Sequence, residues 1–263
     1  MPTLYALVMS FRDSQGGFAG FSNYANAISD FRFMPAVIHV GSFVAVWLVA
    51  LMVFVTLLAL LVHGLGQRWL RTGLRFVYYL PGALAGASSV VLWLFVLNPS
   101  VSPVSAVLRA FGFETFVQTV SPGNLPIVFA IIAFWTGAGG WIVVMYGALN
   151  SIPHEVLEAA RVDGAGRIRT AFHIQLPMLR KWIAYMAVIS LAGGTQLFVE
   201  PRVLAQASRM VVPNDWSLNQ LAFLYAFRHG DINGSAAIAV LLLVVSLLLS
   251  VVFVVKGGIF ARD

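Results

Sequence analysis

Glu158-Ala159-Ala160-Arg161-Val162-Asp163-Gly164-Ala165-Gly166, running on to Ile174-Gln175-Leu176-Pro177, is the longest polar passage lying between two very hydrophobic segments of the chain. Glu155, Glu158 and Asp163 stand there among Arg161, Arg167, Arg169, Arg180 and Lys181. Pro153 suits the first turn of a helix, because its missing N–H would be unpaired there anyway. Glu155 and Glu158 favour the positive N-terminal end of that helix. Ala159 and Ala160 are strong helix formers that leave a low-relief surface. Gly164 follows as a stop, since glycine reaches the left-handed conformation that a helix C-terminus needs. A second helical stretch begins near Arg167, and Pro177 precedes the next hydrophobic run. The product is a short helix, small on one face and charged on another, tied at both ends to apolar segments. That shape suits docking into a groove of a partner protein. The alternative is an amphipathic helix lying on lipid headgroups, which the arginines also favour.

The composition around this passage is that of a membrane protein. The 263 residues are 60% hydrophobic and 10% charged, against about a quarter charged in a soluble domain. The expected fold is therefore all-α and polytopic, with room for five or six spans of about 20 residues. The net charge of +6 does not point to nucleic acid, because the only lysines are Lys181 and Lys256 and the arginines are scattered through loops. The absence of cysteine excludes disulfides and thiolate metal sites. His39, His63, His154, His173 and His229 show no paired metal-ligand spacing.

Five runs are long enough to cross a bilayer: about 37–63, 76–97, 125–149, 182–199 and 236–255. Arg68, Arg71, Arg75, Arg161, Arg167, Arg169, Arg180, Lys181, Lys256 and Arg262 fall on one side of these runs. Arg12, Arg32, Arg109, Arg202, Arg209 and Arg228 fall on the other, spread over longer segments. The positive-inside rule then places the 151–180 loop and the 260–263 tail in the cytoplasm, and 1–36 outside. Residues 37–259 form the transmembrane domain in this division. Pro2-Thr3-Leu4-Tyr5-Ala6-Leu7 reads like the last turns of a helix begun earlier, the remnant of a first span. The alternative is a five-span protein with a translocated N-terminal tail. Residues 1–11 are apolar but too short to span, and lack the basic leading region of a secretory signal.

Three runs contain interruptions near mid-membrane: Pro81-Gly82 with Gly86, Gly137-Ala138-Gly139-Gly140, and Gly193-Gly194 with Thr195 and Gln196. Irregular backbone at that depth is tolerated where it lines a cavity, and broken helices mark transport pathways. The alternative for each glycine is close helix packing through small residues. Gln196 and Glu200, four apart, are expected to share a helical face, with Glu200 in an ion pair beside Arg202 or in contact with a solute. Trp93, Trp135 and Trp141 lie near the interruptions. Trp93 and Trp135, with Gly139, Gly140, Gly194, Gln196 and Glu200, make up the candidate translocation path. Leu218, Leu221, Ala222 and Tyr225 predict a short interfacial helix with its apolar side down.

Glu158-Ala159-Ala160, then Gly164, Ile174 and Leu176-Pro177 at their spacing, resemble the signature loop of binding-protein-dependent ABC importer permeases. Leu149-Asn150-Ser151-Ile152-Pro153 and Asp163-Gly164-Ala165 are similar to the sugar-importer, maltose-type branch. Gly20-Phe21-Ser22-Asn23-Tyr24, Arg75 through Leu80-Pro81 to Leu92-Trp93, and Tyr225-Ala226-Phe227 follow in the right order. The resemblance implies a six-helix permease core lacking most of its first helix. It implies a coupling helix, seated in a cleft of an ATP-binding subunit through Glu155, Glu158, Ala159, Ala160, Asp163, Gly164, Ala165, Ile174, Leu176 and Pro177. The implied partners are a second permease subunit in a heterodimer, two ATP-binding subunits, an extracytoplasmic solute-binding protein and membrane lipid. The implied location is a bacterial or archaeal plasma membrane. One departure is Leu204-Ala205-Gln206-Ala207-Ser208-Arg209-Met210, which stands where relatives carry a Thr…Gly-Gly-Pro pattern.

The chain itself needs no cofactor in this scheme, because ATP is used by the partner. It contains no G-x-x-x-x-G-K-[ST], and neither lysine follows a glycine. Substrates of the same type left open are neutral sugars, amino sugars and glycerophosphates. An ion-driven secondary transporter is the alternative of another class, and it would want ionisable residues in mid-span. Gly86-Ala87-Ser88-Ser89 with His39 faintly resembles an intramembrane serine protease, but Val90 stands where a glycine is expected.

Overall fold

Runs that are apolar on every side, such as 37–63 and 236–255, can satisfy their backbone in a bilayer only as helices, since lipid offers no partner to an N–H or C=O. The computed structural model, which describes residues 2–84, 86–209 and 211–256, is all-α. Among the described residues the extended pairing is a single bridge between Arg12 and Phe18. The helices in order are α1 (Pro2–Ser10), α2 (Ser22–Ser29), α3 (Phe33–His63), α4 (Arg68–Tyr79), α5 (Ala87–Val96), α6 (Ser105–Ala110) and α7 (Phe116–Thr119). They continue with α8 (Leu125–Asn150), α9 (His154–Val162), α10 (Arg167–Gly194), α11 (Val199–Ala207), α12 (Leu218–Phe227) and α13 (Ile232–Lys256).

Of the five expected spans, three are single helices long and apolar enough to cross a membrane: α3, α8 and α13. The other two are broken pairs. The run at 76–97 is the end of α4, a 3-10 turn over Leu80–Leu84 and a fresh start in α5. Pro81 accounts for the change to a 3-10 turn, because it removes a donor and its ring opposes a continued α-helix, and Gly86, at φ +83, stands at the new start. The run at 182–199 is the latter part of α10, which ends at Gly194, followed by an irregular stretch before α11.

One of the sequence expectations is corrected here. The glycines at 137–140 do not interrupt anything, because α8 is continuous from Leu125 to Asn150. Gly139 is there for contact: a Cβ at that position would meet the carbonyl of Tyr78 and approach the Tyr79 Cα to 2.7 Å. Small residues at helix contacts substitute in lipid for the hydrophobic drive available in water. Pro177 lies inside α10, ahead of its hydrophobic run. A wide turn at Ala171–Gln175, closed by i→i+5 bonding, comes directly before it. That turn opens the helix where the proline ring would otherwise clash with a carbonyl one turn earlier. α3 carries a second wide turn at Leu51–Val55.

The chain divides into two compact units. One comprises the described parts of 1–46, 86–132 and 191–249. In it Ala27 of α2, Leu221, Ala222 and Tyr225 of α12, and Ile238 of α13 form a buried cluster. The expected interfacial helix is thus α12, with its apolar side turned into protein. Ser217 and Gln220 close a capping box at its start, with bonds of 3.2 Å each way. Trp216 is fully buried, with the His39 ring stacked on it at 5.2 Å and Phe129 edge-on at 4.6 Å.

The second unit comprises the described parts of 47–85, 133–190 and 250–263. Its core is three helical stripes: Leu51, Val55 and Ala59 of α3; Ala138, Ile142, Met145 and Leu149 of α8; and Leu179 and Met186 of α10. Spacings of three, four and seven put each set on one face of its helix. This core is what holds the loop between α8 and α10.

Candidate functional site

The loop grows directly out of the second core. Leu149 and Ile152 are buried in it, and Leu157 of α9 packs against it. The hydroxyl of Ser151 donates to the Ala148 carbonyl at 2.8 Å, closing the end of α8. Ala160, one turn beyond Leu157, is also buried. The apolar edge of α9 therefore faces the core. Glu155, Glu158 and Ala159 stand on the opposite, exposed side, with Asp163 exposed just beyond the helix.

The end of α9 has the form the sequence predicts. Gly164 has φ +76, a conformation glycine adopts without penalty. Ala165 N–H donates to the Ala160 carbonyl at 2.9 Å and Gly164 N–H to the Arg161 carbonyl at 3.0 Å. That pair of bonds is a Schellman motif, which satisfies carbonyls that the helix end leaves open. Ala165 is half-buried as a result. Farther on, Ile174 and Leu176 are half-buried and Pro177 is exposed, all three within α10.

Three apolar side chains that the motif reading omits dominate the exposed surface of this segment. Val162 is 88% exposed, Ile168 77% and Phe172 63%. Ile168 and Phe172 also line a groove of about 850 Å³ bounded by the end of α3, the Gly64–Gly66 turn, Leu157 and Arg161. The signal for them was present, since residues 168 and 172 are one helical turn apart, but charged neighbours masked it. Apolar groups displayed beside a groove mark an interaction surface.

The candidate path residues are divided between the two units. Trp135, Gly139 and Gly140 belong to α8 within the second unit; Trp93, Gly194, Gln196 and Glu200 belong to the first. Within the first unit α11, bearing Glu200, packs against α5, bearing Trp93. Trp93 and Trp135 are each half-buried. Gln196 and Glu200 do not share a helical face, because Gln196 lies exposed in the irregular stretch before α11 begins. Nor does Glu200 pair with Arg202: the Arg202 guanidinium lies over the Phe223 ring, 4.8 Å from its centre. The break is tied down by a residue no motif singles out. Thr195 and Ser246 of α13 join hydroxyls at 2.8 Å, both buried. Where a helix ends at membrane depth, hydroxyls of this kind take up the released polar groups.

Compared with known proteins, the chain matches the sequence profile described as "Binding-protein-dependent transport system inner membrane component" over residues 16–257. It is similar to the arabinooligosaccharides transport system permease protein of Halalkalibacterium halodurans, 25% identical over 99% of this chain and 83% of that one. It is similar to the sn-glycerol-3-phosphate transport system permease protein of Escherichia coli, 30% identical over 89% of this chain and 78% of that one. Its fold is similar to that in a crystal structure of a bacterial ABC transporter involved in import of the acidic polysaccharide alginate. The TM-score is 0.85 at 20% identity, over 99% of this chain and 90% of that chain.

Proposed function

Because the chain belongs to the family of inner membrane components of binding-protein-dependent transport systems, we propose that it is the membrane-spanning permease subunit of an ATP-binding-cassette importer for a sugar or sugar-like solute. The relatives support this substrate class by name: arabinooligosaccharides in one, sn-glycerol-3-phosphate in a second and multiple sugars in a third. An extracytoplasmic binding protein delivers the solute. A related structure, 22% identical with a TM-score of 0.81, is of a bacterial alginate ABC transporter in complex with an alginate pentasaccharide-bound periplasmic protein. A second permease subunit and two ATP-binding subunits complete the assembly. The chain holds no cofactor and performs no catalysis; ATP is consumed by the partner. The coupling loop and C-terminus face the cytoplasm.

The observation that carries this proposal is the construction of α9. It is rooted in the core by Leu157, buries Ala160, is stopped by a Schellman motif at Gly164, and offers Glu155, Glu158, Ala159 and Val162 outward. A nucleotide-binding subunit that grips this helix moves the ends of α8 and α10 with it. The outer break around Thr195 and the residues Trp93, Gln196 and Glu200 then supply the solute path. The test replaces Glu158 by Lys and, separately, Gly164 by Val in the assembled importer, measuring uptake and ATPase together. Both variants should reach the membrane and lose most uptake while ATP is still hydrolysed. Wild-type uptake in both overturns the assignment.

A further inference from the structure

The coupling role leaves the arginines of α4 without a task. Arg68, Arg71 and Arg75 recur at intervals of three and four, with Thr72 among them, so all lie on one face of the helix. With Tyr146 and Asn150 of α8 they line a cavity of about 320 Å³ in which no acidic side chain stands. The Arg75 guanidinium lies over the Tyr146 ring at 4.2 Å, and its Nε donates to the Arg71 carbonyl at 3.2 Å. Arg71 Nη1 reaches the Tyr146 hydroxyl at 3.4 Å, while its Nε is buried with no hydrogen-bond partner. Arg68 is exposed and makes no hydrogen bond or ion pair among the described residues. Three like charges around one cavity repel each other, and a buried guanidinium N–H without an acceptor is costly.

A single anion with several oxygens relieves both. Guanidinium forks match phosphate bidentately, and Tyr146 and Thr72 add hydroxyls at the rim. On the other side of α4, Trp69 is 72% exposed and Phe76 and Val77 are exposed beside it. Basic on one face and aromatic on the other is the pattern of a helix at a membrane interface.

We propose that this cavity binds a phosphate group, presented by an anionic phospholipid headgroup or by a soluble phosphate. Asn150 is the last residue of α8 and holds the Tyr146 carbonyl through its amide at 2.9 Å. Occupancy therefore clamps α4 to the end of α8 at the root of the coupling loop.

The experiment uses the chain purified from its native membrane with the subunits that accompany it, placed in nanodiscs. Native mass spectrometry compares retention of phosphatidylglycerol with that of phosphatidylcholine. In discs of phosphatidylcholine alone, inorganic phosphate is titrated while the unfolding midpoint is followed. Preferential retention of phosphatidylglycerol identifies a lipid; a phosphate-dependent rise in the midpoint identifies a soluble ligand. Either effect should weaken about tenfold in Arg71→Gln, the loss of one charge-assisted fork, and recover in part in Arg71→Lys. Arg68→Gln, which removes an exposed and unpartnered group, should weaken it without changing the midpoint in the absence of ligand. No preference for either probe, or binding unchanged in Arg68→Gln/Arg71→Gln, overturns the proposal.

Discussion

At Gly139 a hydrogen atom is the only side chain that fits between α8 and the backbone at the end of α4. Gly139→Val drives two methyl groups toward the Tyr78 carbonyl, and overpacking of this kind costs about 1–3 kcal/mol or more where backbone must move. The protein should accumulate poorly in the membrane, as read by immunoblot of membrane fractions. Gly140→Ala, where nothing lies within 4 Å of the added carbon, should be indistinguishable from wild type. Asp30, Arg32 and Tyr225 form a second residue-scale device outside the spans. Arg32 Nη2 and the Tyr225 hydroxyl each donate to Asp30 Oδ2 at 2.7 Å. The bond from Arg32 holds the Asp30 carboxyl well below the usual carboxylate range. Burial first, and then the bond to Asp30, pushes the Tyr225 phenol up to about 12. The sign follows from the raised value: its stabilisation is complete below the ordinary phenol pKa of 10.0 and is lost as pH rises through about 12. Ultraviolet titration of wild type minus Tyr225→Phe should show one phenol ionising near that upper value. The glycine that must be left-handed, Gly164, was legible in sequence because only a helix stop needs it there. Gly139 was not, since a glycine run looks the same whether it breaks a helix or admits a neighbour.

Among the elements, α9 is the one whose design follows most fully from its letters. Glu155 in its first turn and glycine past its end appear where the sequence puts them, and Pro153 stands one place earlier than expected, as the residue that caps the start, because capping is a local matter. Its anchoring is not local. Ala160 reads as a smooth outward patch, yet it is buried, because which face of the helix turns inward depends on packing such as that of Leu157 against the core. Ala160→Leu should therefore lever α9 off its seat at a cost of about 1–3 kcal/mol. The expected result is ATPase activity that no longer rises when loaded binding protein is added, with insertion unaffected; coupling as strong as wild type would count against it. The broken pairs α4–α5 and α10–α11 were foreseen as interruptions through Pro81 and Gly194. Their exact faces were not, since a four-residue spacing such as Gln196 to Glu200 has helical meaning only if no break lies between.

For the whole molecule, composition and the count of apolar runs suffice to give an all-α membrane protein, because the bilayer permits so few alternatives. The partners lie beyond any such count: a groove and exposed apolar side chains offer a surface for docking, and an ATP-binding subunit is the partner proposed for it. If the energy comes from that partner, uptake into vesicles holding the assembled importer should require ATP and survive a protonophore. Glu200→Gln should leave that ATP requirement unchanged. Uptake that collapses with the proton gradient would favour the ion-driven alternative, in which half-buried Glu200 would be the titrating group. The wide turns in α3 and α10 bear on kinship itself. Each absorbs one residue beyond what an α-helix needs, so the segments before and after keep a common face. A cousin with regular helices at 51–55 or 171–175 would be one residue shorter there and still superpose on both sides. A gap placed at those turns is therefore a real difference in chain length, and an ungapped comparison through them pairs the wrong side chains for the rest of the span.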